Sequence, residues 1–160
     1  MRQKFIFTFF LLFTYSIIST AQRYFESNGI RYRVIQEADG QTAYGTVSVA
    51  AAEFDDYSGD IVIPSAVKEI DDSYSDSYKV IAIDDYAFAE TKELVSITLP
   101  SSLETIGEKA FWCSGLERIK IPMGKLTEIG RSIFSGCWSL KTIELPSTIK
   151  KIGYGATRSR

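Results

Sequence analysis

The sequence of 160 residues contains no histidine and only two cysteines, and these scarcities exclude several kinds of site. Without histidine there is no imidazole base for a serine or cysteine nucleophile and no histidine-containing metal site. Two cysteines are too few for an all-thiolate zinc site, which needs four. An enzyme would depend on carboxylates, lysine or tyrosine alone. The sequence therefore predicts a non-catalytic protein with no metal and no cofactor.

Long apolar stretches are also scarce, and the longest one lies at the N-terminus. A basic start with Arg2 and Lys4 precedes an uncharged run over residues 5–18, and residues 19–21 are small. This order is typical of a secretory signal peptide. Spanning a membrane takes about 20 apolar residues, so the run is too short for an anchor. We therefore expect residues 1–21 to be removed on export, leaving a chain that does not span the membrane.

Charge is unevenly distributed along the chain. Residues 22–100 hold 6 basic and 15 acidic residues, whereas residues 101–160 hold 10 basic and 5 acidic residues. A basic half is one feature of nucleic-acid-binding proteins. Here the two signs are interspersed, and export separates the protein from nucleic acid. We expect no nucleic-acid partner and a solvated surface with a charge gradient.

An internal repeat is the strongest signal in the sequence. The segment Ile83-Asp84-Asp85-Tyr86-Ala87-Phe88 recurs over residues 106–111 and 129–134 and begins again at Ile152, at intervals of 23 residues. Self-similarity at a fixed period of this length indicates a solenoid of stacked coils. One coil cannot bury its apolar side alone, so neighbouring coils must share a continuous core.

A second block, Leu-x-x-Ile-x-(Leu/Ile)-Pro, lies between these anchors at residues 94–100, 116–122 and 140–146. Its alternation predicts a short strand with aliphatic side chains inward and polar ones outward, and proline ends it. We interpret the Ala-Phe or Ile-Phe pair of each anchor as a short helical turn that buries a phenyl ring. The predicted structural core is Phe88, Leu94, Ile97, Leu99, Phe111, Leu116, Ile119, Ile121, Phe134, Leu140, Ile143 and Leu145.

The two blocks together, Ile-Gly-x-x-Ala-Phe followed by Cys-x-x-Leu-x-x-Ile-x-Ile-Pro, resemble the BspA-like leucine-rich repeats of bacterial surface antigens. The resemblance implies a leucine-rich repeat solenoid of the α/β class, with short parallel strands, short helical turns and a period of about 23 residues. It also implies a secreted or cell-surface bacterial protein that mediates adhesion by binding a protein of the host matrix or of a neighbouring cell. The alternative is a carbohydrate-binding or structural accessory protein of the cell envelope, with a glycan as ligand. A glycan site needs exposed aromatic residues on one face, and the candidates Trp112 and Trp138 do not occupy equivalent positions of the repeat.

The remaining segments divide around this array. Residues 22–58 contain two segments with alternating apolar residues and are predicted to form a small β cap over the first coil. An insertion near residues 71–82, a polar loop followed by a strand, interrupts the array of residues 59–156. Residues 157–160 stand where the next phenylalanine belongs, and we interpret them as a truncated basic tail. We expect either a longer array or a partner that covers the last coil.

The outward positions of the predicted strands form the candidate partner-binding surface. Equivalent positions of successive strands should lie side by side, which gives a flat face of mixed charge with Arg118 at its centre. The alternative is an ordinary solvated sheet face without a partner. The six residues of this surface are Ser96, Thr98, Arg118, Lys120, Thr142 and Glu144.

The two cysteines have equivalent places in the repeat. Cys113 and Cys137 both lie three residues before a repeat leucine, and Thr91 holds that place in the first copy. We therefore expect them to stack on neighbouring coils as free, buried thiols that act as small apolar side chains. A disulfide is the alternative, since adjacent strands bring Cα atoms to about 5 Å and export permits oxidation.

Overall fold

The computed structural model describes residues 22–38, 44–53, 57–70 and 75–157, so the predicted signal peptide and the end of the predicted tail lie outside the described residues. All regular elements within these ranges are β-strands, and none of the described segments forms a helix long and apolar enough to cross a membrane. In chain order the strands are β1 (Tyr24–Ser27), β2 (Ile30–Gln36), β3 (Gly45–Val49), β4 (Gly59–Val62), β5 (Ala66–Ile70), β6 (Ser75–Ile83), β7 (Leu94–Thr98), β8 (Thr105–Ile106), β9 (Arg118–Lys120), β10 (Glu128–Ile129), β11 (Thr142–Glu144) and β12 (Lys151–Ile152).

A parallel sheet with one strand per coil forms the first side of a solenoid. β4, β7, β9 and β11 are neighbours in this order. Ile97 on β7 lies opposite Ile119 on β9, which in turn lies opposite Ile143 on β11. β7, β9 and β11 each fall within the Leu-x-x-Ile block of their own coil. The alternation of that block therefore decides which side chains point into the core.

Strands of only two residues form the second side of the solenoid. β10 and β12 pair in parallel, and β8 pairs with the end of β6. β8 and β10 bury Ile106 and Ile129, which are 7% and 3% exposed. A glycine follows the isoleucine because the neighbouring coil approaches closely there. A Cβ added to Gly107 would lie only 2.4 Å from the amide nitrogen of Asp85.

Successive turns form the third side of each coil, so the prediction of short helical turns is wrong for the described residues. Tyr86 and Glu90 have left-handed φ values of 59° and 62°, and equivalent residues of the next coils share this conformation. An α-helix needs negative φ at every position. Amide groups that a helix would use internally donate to the next coil instead, as that of Phe88 does to the carbonyl oxygen of Ala110 at 2.7 Å. The described part of the array is built from strands and turns, without the helices that the α/β class requires.

The phenyl rings of the three anchors stack through the centre of the solenoid. The centroids of Phe88 and Phe111 lie 5.3 Å apart with planes 8° from parallel, and those of Phe111 and Phe134 lie 5.5 Å apart at 16°. Each ring is at most 3% exposed. Tyr57 extends the ladder upstream, with its centroid 4.7 Å from that of Phe88. The spacings are close to the distance between neighbouring strands, so each coil contributes one ring.

Burial of the predicted core residues depends on the position of the coil in the stack. Nine of the twelve are at most 4% exposed. The other three occupy the last described strand block: Leu140 and Ile143 are half-buried, and Leu145 is 41% exposed. No further coil of the described residues lies against them. The same repeat pattern therefore gives a buried side chain only where coils lie on both sides.

A mixed sheet joins the array at its N-terminal side. Its order is β1-β2-β3-β6-β5, and it shares one hydrophobic cluster with the core of the array. β5 and β6 form an antiparallel hairpin at the predicted insertion near residues 71–82. The hairpin begins earlier in the chain than the prediction, because residues 66–70 of β5 pair with residues 75–79 of β6. β3 pairs in parallel with β6, so the sheet crosses the predicted boundary at residue 58.

Candidate functional site

The six residues of the predicted binding surface lie on the outward face of the parallel sheet. They form two rows across β7, β9 and β11, and all six line a shallow groove of about 310 Å³. β4 extends the rows with Asp60 and Val62. The rows are Ser96–Arg118–Thr142 and Thr98–Lys120–Glu144.

Ion pairs neutralise much of the charge on this face. The ammonium nitrogen of Lys120 lies 3.1 Å from a carboxylate oxygen of Glu144, and that of Lys141 lies 3.0 Å from Glu117. Exposed pairs of this kind contribute about 0–1 kcal/mol to stability. Their effect on the surface is larger than their effect on folding, because they cancel charge that a partner would otherwise meet.

Arg118 is the cation of this face that has no carboxylate partner. Three arginines of the N-terminal sheet, Arg23, Arg31 and Arg33, each have a carboxylate oxygen within 3.0 Å. Among the described residues, no carboxylate lies within 4.0 Å of the guanidinium of Arg118. A planar guanidinium on an exposed strand can bind a carboxylate or phosphate through two parallel hydrogen bonds.

The groove offers groups for recognition by charge and hydrogen bonding. Ser96 and Thr142 lie opposite Arg118 on the two neighbouring strands, and Thr98 lines the same groove. Ser96 donates its hydroxyl hydrogen to Asp60. Nowhere in the described ranges do three cysteine, aspartate or glutamate side chains gather closely enough to share a metal ion. This set of groups suits a hydrogen-bonding, acidic partner surface.

Ser114 holds the buried position that was expected for Cys113. Thr91, Ser114 and Cys137 are 3%, 3% and 8% exposed, and the hydroxyl oxygen of Ser114 lies 3.4 Å from the Cys137 sulfur. Cys113 is half-buried in a left-handed turn with φ of 56°, and both thiols are free. The expectation that the two cysteines stack is wrong. The stacked phenylalanines, and not the repeat leucines, determine which residues of neighbouring coils in this segment lie side by side. The segment from phenylalanine to leucine is one residue shorter in this coil than in its neighbours.

We expect the two thiols of the folded protein to react at different rates. The Cys137 thiol donates to the carbonyl oxygen of Phe111 at 2.8 Å, and burial raises its pKa. Because the thiolate is the reactive form, Cys113 should react first with iodoacetamide, and Cys137 only after unfolding in urea. Mass spectrometry after timed alkylation measures both rates. Equal labelling of the two cysteines in the folded protein would contradict the assigned register.

A second groove, on the turn side of the solenoid, gathers residues that the sequence pattern does not connect. Trp112, Trp138, Tyr154 and Arg131 line a volume of about 490 Å³. The side chains of Trp138 and Tyr154 are 67% and 72% exposed. The two tryptophans occupy different positions of their repeats, so the period alone does not bring them together. The folded turns do.

Parallel strands contributed one per coil, with stacked leucine, isoleucine and phenylalanine side chains behind them, define the fold as a leucine-rich repeat solenoid. The family model described as the BspA type leucine rich repeat region matches residues 72–159 in six copies. This match covers more than half of the chain. The chain belongs to the family of BspA-type leucine-rich repeats.

Solved structures of other leucine-rich repeat proteins are similar to this chain. A protein from Bacteroides ovatus is 36% identical, with a TM-score of 0.68, over 84% of this chain and 32% of its own length. The pneumococcal vaccine antigen PcpA is 25% identical, with a TM-score of 0.57, over 84% of this chain and 41% of its own. A leucine-rich cell surface protein from Faecalibacterium prausnitzii shares the fold at 24% identity, with a TM-score of 0.59, over 81% of this chain and 32% of its own.

This chain therefore spans about a third of the length of the Bacteroides and Faecalibacterium proteins that it resembles. Comparison with curated proteins finds no match. The comparisons identify the repeat family and the fold. The Faecalibacterium protein is described as a cell surface protein, and PcpA is described as a vaccine antigen.

Proposed function

We propose that this protein is exported and binds a protein partner at the cell surface, without catalysis, through the outward face of its parallel sheet. Membership of the leucine-rich repeat family supports a role in protein binding. A cell surface protein and a vaccine antigen among the similar structures support display outside the cell. Export would use residues 1–21 as the signal peptide. The partner is a protein of the host matrix or of a neighbouring cell.

The unpaired guanidinium of Arg118 is the observation that carries this proposal. It stands in the middle strand of β7, β9 and β11, beside a lysine whose charge Glu144 neutralises. A partner that places a carboxylate on Arg118 gains a charge-assisted hydrogen bond and breaks no existing ion pair of this face. The surrounding hydroxyls can complete the contact with the partner backbone.

Replacing Arg118 with glutamine should weaken protein binding about tenfold, because the charge-assisted hydrogen bond is lost. The measurement is biolayer interferometry of the exported chain against a panel of purified extracellular-matrix proteins, followed by titration of each protein that binds. Wild-type affinity should also fall between 0.05 and about 0.5 M NaCl, since salt screens an exposed charge pair. The variant should show a smaller salt dependence.

Arg131→Gln is the matched control, because it removes an equivalent charge from the turn side of the solenoid. The control should bind the same matrix protein with wild-type affinity. If Arg118→Gln and Arg131→Gln weaken binding equally, net charge and not the sheet face determines the interaction. If no matrix protein binds, the partner is not a protein of the host matrix.

A further inference from the structure

The groove on the turn side is open because the residues at one position of the repeat become small in the last coils. Tyr86, Lys109, Ser132 and Gly155 lie 23 residues apart and share left-handed φ values between 53° and 68°. Upstream, the ammonium nitrogen of Lys109 lies 5.3 Å from the ring centroid of Tyr86 and donates to its hydroxyl oxygen at 3.1 Å. Downstream, serine and glycine at the same position leave this space unfilled.

Aromatic rings and hydroxyl groups surround the unfilled space. Trp138 and Tyr154 are mostly exposed, and Trp112 is half-buried. The face of an aromatic ring is apolar and carries partial negative charge, so it packs well against the C–H groups of a sugar ring. Ser132 and Ser135 bring hydroxyl groups to the same groove. A pocket of this volume with a few converging polar groups is typical of small-molecule sites.

Arg131 determines the sign of the charge in this groove. It is the one charged side chain that lines the groove in the described part of the chain. No carboxylate of those residues lies within 4.0 Å of its guanidinium. Arginine binds a planar carboxylate through two parallel hydrogen bonds. A sugar that carries a carboxylate therefore complements the groove better than a neutral sugar does.

We propose that the groove between Trp112, Trp138 and Tyr154 binds an acidic saccharide, a hexuronic acid unit of a glycan chain. The sugar ring packs against the exposed aromatic faces, and its carboxylate binds the guanidinium of Arg131. The site lies on the turn side, so it is separate from the protein-binding face around Arg118. It adds a glycan ligand to the proposed protein partner, and each ligand has its own arginine.

Intrinsic tryptophan fluorescence tests this proposal directly, because both tryptophans of the chain line the groove. The probe is a tetrasaccharide of alternating glucuronic acid and N-acetylglucosamine. It should change the fluorescence with a Kd of about 0.1–1 mM, which suits a shallow site that contacts one or two sugars. The uncharged tetramer of N-acetylglucosamine should bind at least about tenfold more weakly, since it lacks the carboxylate.

Three variants separate the groove from the rest of the surface. Arg131→Gln should raise the Kd for the acidic tetrasaccharide about tenfold. Ser132→Tyr should abolish binding, because it restores the bulk that Tyr86 has at the same position and the same backbone conformation. Arg118→Gln should leave the saccharide Kd unchanged. Equal affinity for the charged and neutral tetrasaccharides, or an unchanged Kd in Arg131→Gln, would overturn the proposal, as would a wild-type protein that binds neither probe.

Discussion

Replacement of Phe111 with alanine should lower the free energy of unfolding by about 3–5 kcal/mol. The ring is fully buried and stacks between two other phenyl rings, at 5.3 Å from Phe88 and 5.5 Å from Phe134. Alanine removes the apolar surface of the ring and leaves a cavity that the neighbouring coils cannot fill without moving their backbones. It also removes two aromatic pairs, each worth about 0.5–1.5 kcal/mol beyond burial.

Urea denaturation followed by circular dichroism measures this loss, and Trp138→Ala is the matched control. The control removes a larger aromatic side chain from the same part of the solenoid, but that side chain is 67% exposed. It should change the free energy of unfolding by less than about 1 kcal/mol. A loss below about 1.5 kcal/mol for Phe111→Ala would contradict a continuous phenyl ladder, since a ring between two others has no comparable replacement contacts.

The repeat made the parallel sheet predictable from the sequence. A 23-residue interval places equivalent residues on neighbouring coils, and alternation within each Leu-x-x-Ile block determines which side chains face inward. Both arguments depend on spacing alone, so the prediction holds even where the side chains differ between coils. The pairing of Ile97, Ile119 and Ile143 follows directly from them.

The turn side was not predictable in the same way. A helical turn and a series of β-turns use similar short-range hydrogen bonds, so the Ala-Phe pair fits both. The difference lies in left-handed residues such as Tyr86, Lys109 and Ser132, which are not residue types that usually indicate positive φ. Their conformation is maintained by hydrogen bonds to the next coil, which no local pattern reveals.

The groove on the turn side could not be predicted from the repeat pattern either. Its space comes from small side chains at Ser132 and Gly155, and its rim comes from bulky residues at other positions of the repeat. A search for exposed aromatic residues at a constant interval finds no ladder, because Trp112 and Trp138 are not equivalent. Comparison of side-chain size down each position of the repeat would have detected the change from tyrosine and lysine to serine and glycine.

Tyr57 was missed because it lies outside the period. It precedes Phe88 by 31 residues, since the β5–β6 hairpin intervenes, yet its ring takes the next place in the phenyl ladder. Its hydroxyl donates to the carbonyl oxygen of Ala50 at 2.6 Å and accepts from the amide of Arg31 at 3.2 Å. This one side chain therefore joins the core of the array to two segments of the N-terminal sheet.

The two functions of Tyr57 can be separated by two substitutions. Tyr57→Ala removes a side chain that is 5% exposed and should cost about 3–5 kcal/mol of stability, comparable to Phe111→Ala. Tyr57→Phe retains the ring and should cost about 1–3 kcal/mol, because the Arg31 amide and the Ala50 carbonyl lose a buried partner. Urea denaturation measures both losses.

Hydrogen exchange measures the contact of the hydroxyl with the sheet. Exchange of the Arg31 amide should accelerate in Tyr57→Phe. The Phe111 amide donates to the carbonyl oxygen of Ile133, so its exchange should change only with global stability. If Tyr57→Phe is as stable as wild type and Arg31 exchange is unchanged, the hydroxyl does not hold the sheet to the array, and stacking on Phe88 alone joins them.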